Sequence, residues 1–142
     1  MEVKSKIIVT DANIIINLIH ASRLDVCGAL PKMEFVVPDH VRDEVSVPGQ
    51  RLVLDSAISA GTLRQADITN VADIALLSQL TKFLGRGESA CLVLATRHGW
   101  MIASDELGRF RREVVERIGE DRLVGTADIY LLSIRAGRIT VD

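Results

Sequence analysis

Ile7, Ile8 and Val9 follow one another with no polar residue between them, inside a run from Lys6 to Thr10. A strand with one wet face would alternate apolar and polar residues, and this run has no wet face. It reads as a central strand of a parallel sheet covered on both sides. Phe35, Val36 and Val37 repeat the pattern, and Trp100 to Ala103 repeats it again. Thr62 to Ile68 alternates and predicts an edge strand, Arg122 to Val124 a short strand and Arg138 to Val141 a last one.

Helical spacing fills the intervals. Asn13 suits the N-cap of a helix from Ile14 to Ala21, and a short helix over Leu24 to Leu30 stops at Pro31. Pro38 suits the first turn of a helix that ends near Val47, Pro48 and Gly49. Further helices are predicted over Arg51 to Ala60, Asn70 to Phe83, Asp105 to Ile118 and Thr126 to Ala136. Gly85 and Gly87 lead into another, with Glu88 at its start and His98 and Gly99 at its end. Strands and helices alternate without hairpin signals, which predicts an α/β fold with a mainly parallel sheet flanked by helices. The 142 residues suffice for one core, so 1–142 is read as a single domain.

In such a fold a helix runs antiparallel to the strand it feeds, and ligands bind at the edge where the strands end. Asp11 follows the first strand. Glu88 opens a helix that feeds the Trp100–Ala103 strand, and Asp105 follows that strand. Glu44 lies six residues after Pro38, about 9 Å along its helix from the same edge. Four acids from four distant segments are thereby directed to one rim. Clustered carboxylates repel one another and raise their own pKa values, and divalent cations relieve that repulsion. Oxygen donors favour Mg²⁺ or Mn²⁺, and no Cys/His set competes for zinc. Such acid-bound ions suit the hydrolysis of phosphodiesters. Taken singly, each acid has a plainer reading. Asp11 is then a turn residue, Glu88 and Asp105 are helix-start charges favoured by the dipole, and Glu44 shares a solvated face with Arg42 and Asp43.

The balance of 48% hydrophobic and 25% charged residues is that of a globular chain. No apolar run nears the roughly 20 residues needed to span a bilayer, and the N-terminus lacks a signal-peptide pattern. A cytoplasmic protein with no membrane partner is expected. Cys27 and Cys91 fall in apolar helical patterns and read as buried thiols. A net charge of −2 excludes a general polyanion binder, so a nucleic-acid partner needs a local basic patch or bound cations. Aromatic residues are 4%, which leaves little for base stacking. His20, His40 and His98 show no spacing of a metal or catalytic pair. The arginines from Arg109 to Arg117 are interleaved with Glu113 and Glu116 as on a solvated helix, but Arg109, one turn after Asp105, is placed to meet a phosphate.

Ile7-Ile8-Val9-Thr10-Asp11-Ala12-Asn13, then Val37-Pro38 through Glu44-Val45, then Gly85-Arg86-Gly87-Glu88-Ser89-Ala90, then Ile102-Ala103-Ser104-Asp105-Glu106 together resemble the PIN-domain ribonucleases. The toxins of toxin–antitoxin pairs are their most populous branch. The resemblance runs along essentially the whole chain and in the right order. It implies a five-stranded parallel sheet, a metal-dependent endoribonuclease leaving 5′-phosphate and 3′-hydroxyl ends, and often a homodimer neutralised by an antitoxin. It makes Asp11, Glu44, Glu88 and Asp105 the acidic quartet. Asp11, Glu88 and Asp105 would hold Mg²⁺ (or Mn²⁺), with Glu44 a further ligand directly or through water. The third acid is often Asp in the family and is Glu88 here. Asn13 matches the polar residue after the first Asp. Ser104, Glu106, Arg109, Thr126 and Asp128 are candidates to support the ligands or the RNA, Asp128 having the plainer reading of a helix-start acid and Glu106 that of a solvent-facing one.

Other acid-rimmed sheets fit less well. A phosphoacceptor receiver needs two adjacent acids after the first strand, where Asp11-Ala12-Asn13 has one. A haloacid-dehalogenase-like phosphatase needs an acid at position 13. A non-catalytic PIN-fold protein that binds nucleic acid or a partner is the remaining alternative, and the helices Ile14 to Ala21 and Arg51 to Ala60 are candidate partner faces.

Overall fold

A computed structural model describes residues 6–140. Its sheet has five parallel strands in the order β3-β2-β1-β4-β5: β1 (Lys6–Thr10), β2 (Met33–Val37), β3 (Arg64–Gln65), β4 (Met101–Ala103) and β5 (Leu123–Val124). β1 is central, as its unbroken apolar run requires, and Ile8 and Val9 are buried together with Phe35, Val36, Val37 and Ile102. The register sets Thr10 opposite Ala103, so the chain leaves β1 and β4 side by side. There the strand order turns from leftward to rightward progression, and a crevice opens at the C-terminal edge.

Right-handed crossovers divide the helices between two faces. On one side α1 (Ala12–His20) packs against α4 (Pro48–Ser59) and α8 (Thr126–Arg135), and α2 (Val26–Ala29) lies against β2. On the other side α6 (Arg86–His98) packs between α5 (Val71–Leu80) and α7 (Arg109–Arg117). α6 is buried from Ser89 to Ala95 on more than one face, which its small Ser89, Ala90, Cys91 and Ala95 permit. The short α3 (Asp39–Glu44) reaches across to α6 at the sheet edge. Gly99, at φ 72°, ends α6 in the left-handed conformation that favours glycine.

Several expected boundaries move, each for a local reason. α1 starts at Ala12, not Ile14, because the Asp11 carboxylate accepts the Ala12 N–H at 2.8 Å and is itself the N-cap; Asn13 lies inside the helix. Pro48 opens α4 and does not end α3, which stops at Glu44. Only Arg64 and Gln65 pair in the predicted Thr62–Ile68 strand, which is an edge strand. α7 begins at Arg109, leaving 104–108 as a loop, so Asp105 is not in a helix. The last strand expected over Arg138 to Val141 is not found: 138–140 form a bend and open chain, and Val141 lies outside the described residues.

Ile14, Ile15 and Leu18 of α1 are fully buried, each worth about 1.5–3 kcal/mol as burial of an aliphatic side chain. The apolar face of α1 is therefore core. α4 differs: Leu54 is buried, while Leu52 and Val53 are exposed, as is Val47 ahead of it. No helix among the described residues is long and apolar enough to cross a membrane.

Candidate active site

The crevice between β1 and β4 is built from backbone pairing. The Asp11 N–H donates to the Ala103 carbonyl at 3.0 Å, which continues the β1–β4 ladder one residue past the strand. Ser104, the next residue on the β4 side, then donates its hydroxyl to Asp11 Oδ2 at 3.2 Å. Asp11 is 3% exposed. Burial pushes its carboxyl up to about 6, with Glu88 and Glu44 adding repulsion against the lowering effect of the Ala12 N–H and the Ser104 hydroxyl.

Glu88 stands in the first turn of α6 and accepts the Gly85 N–H at 3.0 Å, half of a capping box. Its pKa is raised, by burial first and then by Glu106 and Glu44, against the lowering effect of Gly85. Glu44 ends α3 and accepts the Gly87 N–H at 2.8 Å, which ties α3 to the start of α6. A Cβ at Gly87 would stand 2.7 Å from both Glu44 carboxylate oxygens, so only glycine lets this acid approach. Beneath them the Cys91 thiol is pushed well up by burial, and then by the charges of Asp11, Glu44 and Glu88. These three acids thus feel one another across the crevice. No Lys, Arg or His forms an ion pair with any of them among the described residues.

Asp105 stands to one side. Its Oδ1 accepts the Thr126 N–H at 2.8 Å and its Oδ2 the Thr126 hydroxyl in a short bond. Asn17 reaches the same oxygen at 3.5 Å, the outer limit of a hydrogen bond. Gly125 makes room, since a Cβ there would lie 2.7 Å from Asp105 Oδ1. Glu106 faces the crevice: it accepts the Asn13 amide at 2.6 Å, its own N–H is bonded to Ser104 Oγ at 3.2 Å, and its charge reaches Glu88. Asp128 accepts the Gly125 N–H at 2.8 Å and caps α8. Arg109 lies over the Phe83 ring, 4.5 Å from its centroid.

The structure therefore gathers Asp11, Glu44, Glu88 and Glu106, with Asn13 and Ser104 as their hydrogen-bonding neighbours. Asp105 and Thr126 form an adjoining pair. Gly87 reads in the sequence as part of the turn that leads to Glu88 but not as room for Glu44, and Gly125 and Asn17 are not singled out there. The role of both glycines depends on carboxylates from elsewhere in the chain. Asn17 lies one helical turn after Asn13 and so shares its face, which is a usable signal.

Among the described residues no three His, Cys, Asp or Glu side chains stand ready as a ligand cluster. Glu44, Glu88 and Asp105 are each turned to a backbone N–H instead of to one another. The donor set nevertheless fits a divalent cation. It offers hard carboxylate oxygens and mutual repulsion, and none of its acids is ion-paired among the described residues.

A family model, DUF3368, described as a PIN domain, matches residues 7–141. No curated protein matches the chain.

Proposed function

The chain belongs to the PIN-domain family, whose fold is of nuclease type, and we propose that it is a metal-dependent endoribonuclease. The observation that carries the reading is the trio Asp11, Glu44 and Glu88: three mutually repelling carboxylates in the crevice at the sheet's switch point, none of them ion-paired among the described residues. Asp11, Glu88 and Asp105 would hold Mg²⁺ or Mn²⁺, and Glu44 would join directly or through water. A bound ion supplies water activation and charge stabilisation at the phosphate. The chain's own part is positional. Ala12 N–H and Ser104 Oγ fix the Asp11 carboxylate, Thr126 fixes Asp105, and Gly87 admits Glu44 to the rim. By likeness to the family's most populous branch, the reading extends to the toxin of a toxin–antitoxin pair, cytoplasmic and homodimeric. Leu52 and Val53 on α4 are the apolar surface such partners would cover.

The engagement of Glu44, Glu88 and Asp105 with backbone N–H groups favours a second reading, a non-catalytic PIN-fold protein that binds nucleic acid or a partner. One experiment separates the two. Wild type and Asp11→Asn are purified identically and given a mixed pool of structured and single-stranded RNAs with Mg²⁺ or Mn²⁺. Metal-dependent cutting that the variant loses supports the enzyme. Equal cutting by both overturns the site. Where neither cuts and the ions leave the melting temperature unchanged, the non-catalytic reading stands.

A further inference from the structure

Two helices open on a cation at the acidic rim. α6 and α7 each feed a strand, so each starts at the C-terminal edge, and their first residues are Arg86 and Arg109. A cation in the first turn meets the positive end of the helix dipole, so local helix stability does not account for either. Arg109 has a partner in the Phe83 ring. Arg86 is exposed and makes no ion pair or side-chain hydrogen bond among the described residues. It lines a hollow of about 250 Å³ with His40, Asp43 and Glu44. The two acids of that hollow are drawn elsewhere: Asp43 lies 3.9 Å from Arg51, and Glu44 accepts the Gly87 N–H. The His40 ring, like the Arg86 guanidinium, has no hydrogen-bond partner among the described residues. An open guanidinium fork and an imidazole therefore share one hollow, with an acid of the rim as its inner wall.

We propose that Arg86 and His40 form a phosphate subsite on the Glu44 side of the crevice, gripping a backbone phosphate of a single RNA strand beside the phosphate that is cut. The proposal rests on the endoribonuclease reading for its substrate. The guanidinium matches two phosphate oxygens with two parallel N–H donors, and the imidazole N–H supplies a third. Such a subsite answers a need of the rim. A chain of net charge −2 with an acidic site repels a polyanion, and a fixed cation at the mouth sets the strand's register before any chemistry.

The test uses the Asp11→Asn protein with Mg²⁺, so that binding is read without cutting. A fluorescein-labelled single-stranded 12-mer RNA of mixed sequence is titrated over a range of KCl. Adding Arg86→Ala is expected to weaken binding about tenfold and to lower the slope of log affinity against log salt by about 0.7, the loss of one phosphate contact on a single strand. Arg86→Lys should keep the slope and recover only part of the affinity, and His40→Ala should cost several-fold. Arg135→Ala, at the far end of α8, is the control and should change nothing. In the active background Arg86→Ala should raise KM and leave kcat within a few-fold. Unchanged affinity and slope in Arg86→Ala, or no RNA binding by the parent, overturns the subsite. If the slope falls as expected while wild type cuts no RNA and Mg²⁺ or Mn²⁺ leaves its melting temperature unchanged, the subsite stands and the nuclease reading fails.

Discussion

Removing the charge at Asp11 should stabilise the ion-free protein. Its carboxyl is moved from 3.8 to about 6 by folding, chiefly because it is buried and because Glu88 and Glu44 repel it. Between those values the native state binds more protons than the unfolded chain, so stability falls as pH rises through the window. At about 1.4 kcal/mol per pH unit, a gap of about two units costs the native state about 3 kcal/mol above pH 6. Asn at this position keeps an acceptor for the Ala12 N–H, and the shift to about 6 is already net of the Ala12 and Ser104 hydrogen bonds to the charged carboxylate, so the expected gain is about 3 kcal/mol. For a chain of this size that is about 6–12 °C in Tm. The assay is thermal melting of wild type and Asp11→Asn in EDTA, from pH 3.5 to 8. The variant should melt higher at pH 7.5, and the difference should shrink through pH 6 and vanish near pH 4. With Mg²⁺ the wild type should gain stability and the variant should not. A variant that melts at or below wild type at pH 7.5 in EDTA, or a difference independent of pH, refutes the account of charge held in the crevice at a cost.

Gly87→Ala should displace the Glu44 carboxylate, from which the new Cβ would stand 2.7 Å away; we expect RNA cleavage to fall at least tenfold while circular dichroism keeps the wild-type helix signal. Thr126→Val removes the hydroxyl bond to Asp105 and keeps the backbone one, so Mg²⁺ activation curves should shift to several-fold higher ion concentration at similar melting temperature in EDTA. Cys27 and Cys91 are buried, with the Cys27 thiol pushed up to about 12 and that of Cys91 also raised; neither should react with a thiol reagent at pH 8 until guanidinium unfolds the chain, and prompt labelling of one would contradict its burial. Leu54→Ala empties a fully buried position of α4 and should cost about 2–5 kcal/mol in denaturant unfolding.

The apolar run of β1 was enough to place a central parallel strand, because a strand with no polar face has nowhere else to go. From that strand the crossover rules carried Asp11, Glu88 and Asp105 to one edge. The sequence was less informative where a distant group decides the local outcome. Pro48 can end one helix or open the next, and only the ending of α3 at Glu44 settles which. Asp105 was expected at a helix start because charged residues follow it with helical spacing. It stays in a loop, where Thr126, 21 residues on, takes both its oxygens. The Glu44–Gly87 contact joins positions 43 residues apart, and no pattern local to either one encodes it. Arg86 was visible only as the variable letter between two glycines.

Each outer acid of the crevice doubles as a stopper for an open helix end. Glu88 plugs the Gly85 N–H, Glu44 the Gly87 N–H and Asp105 the Thr126 N–H. If Mg²⁺ or Mn²⁺ were held here, Glu44, Glu88 and Asp105 would have to share their oxygens between the ion and the starts of α6 and α8. Any N–H group released by that sharing would present its positive end at the rim, where a phosphate would need donors. Holding the ion and readying the surface for a polyanion would then be a single exchange of partners.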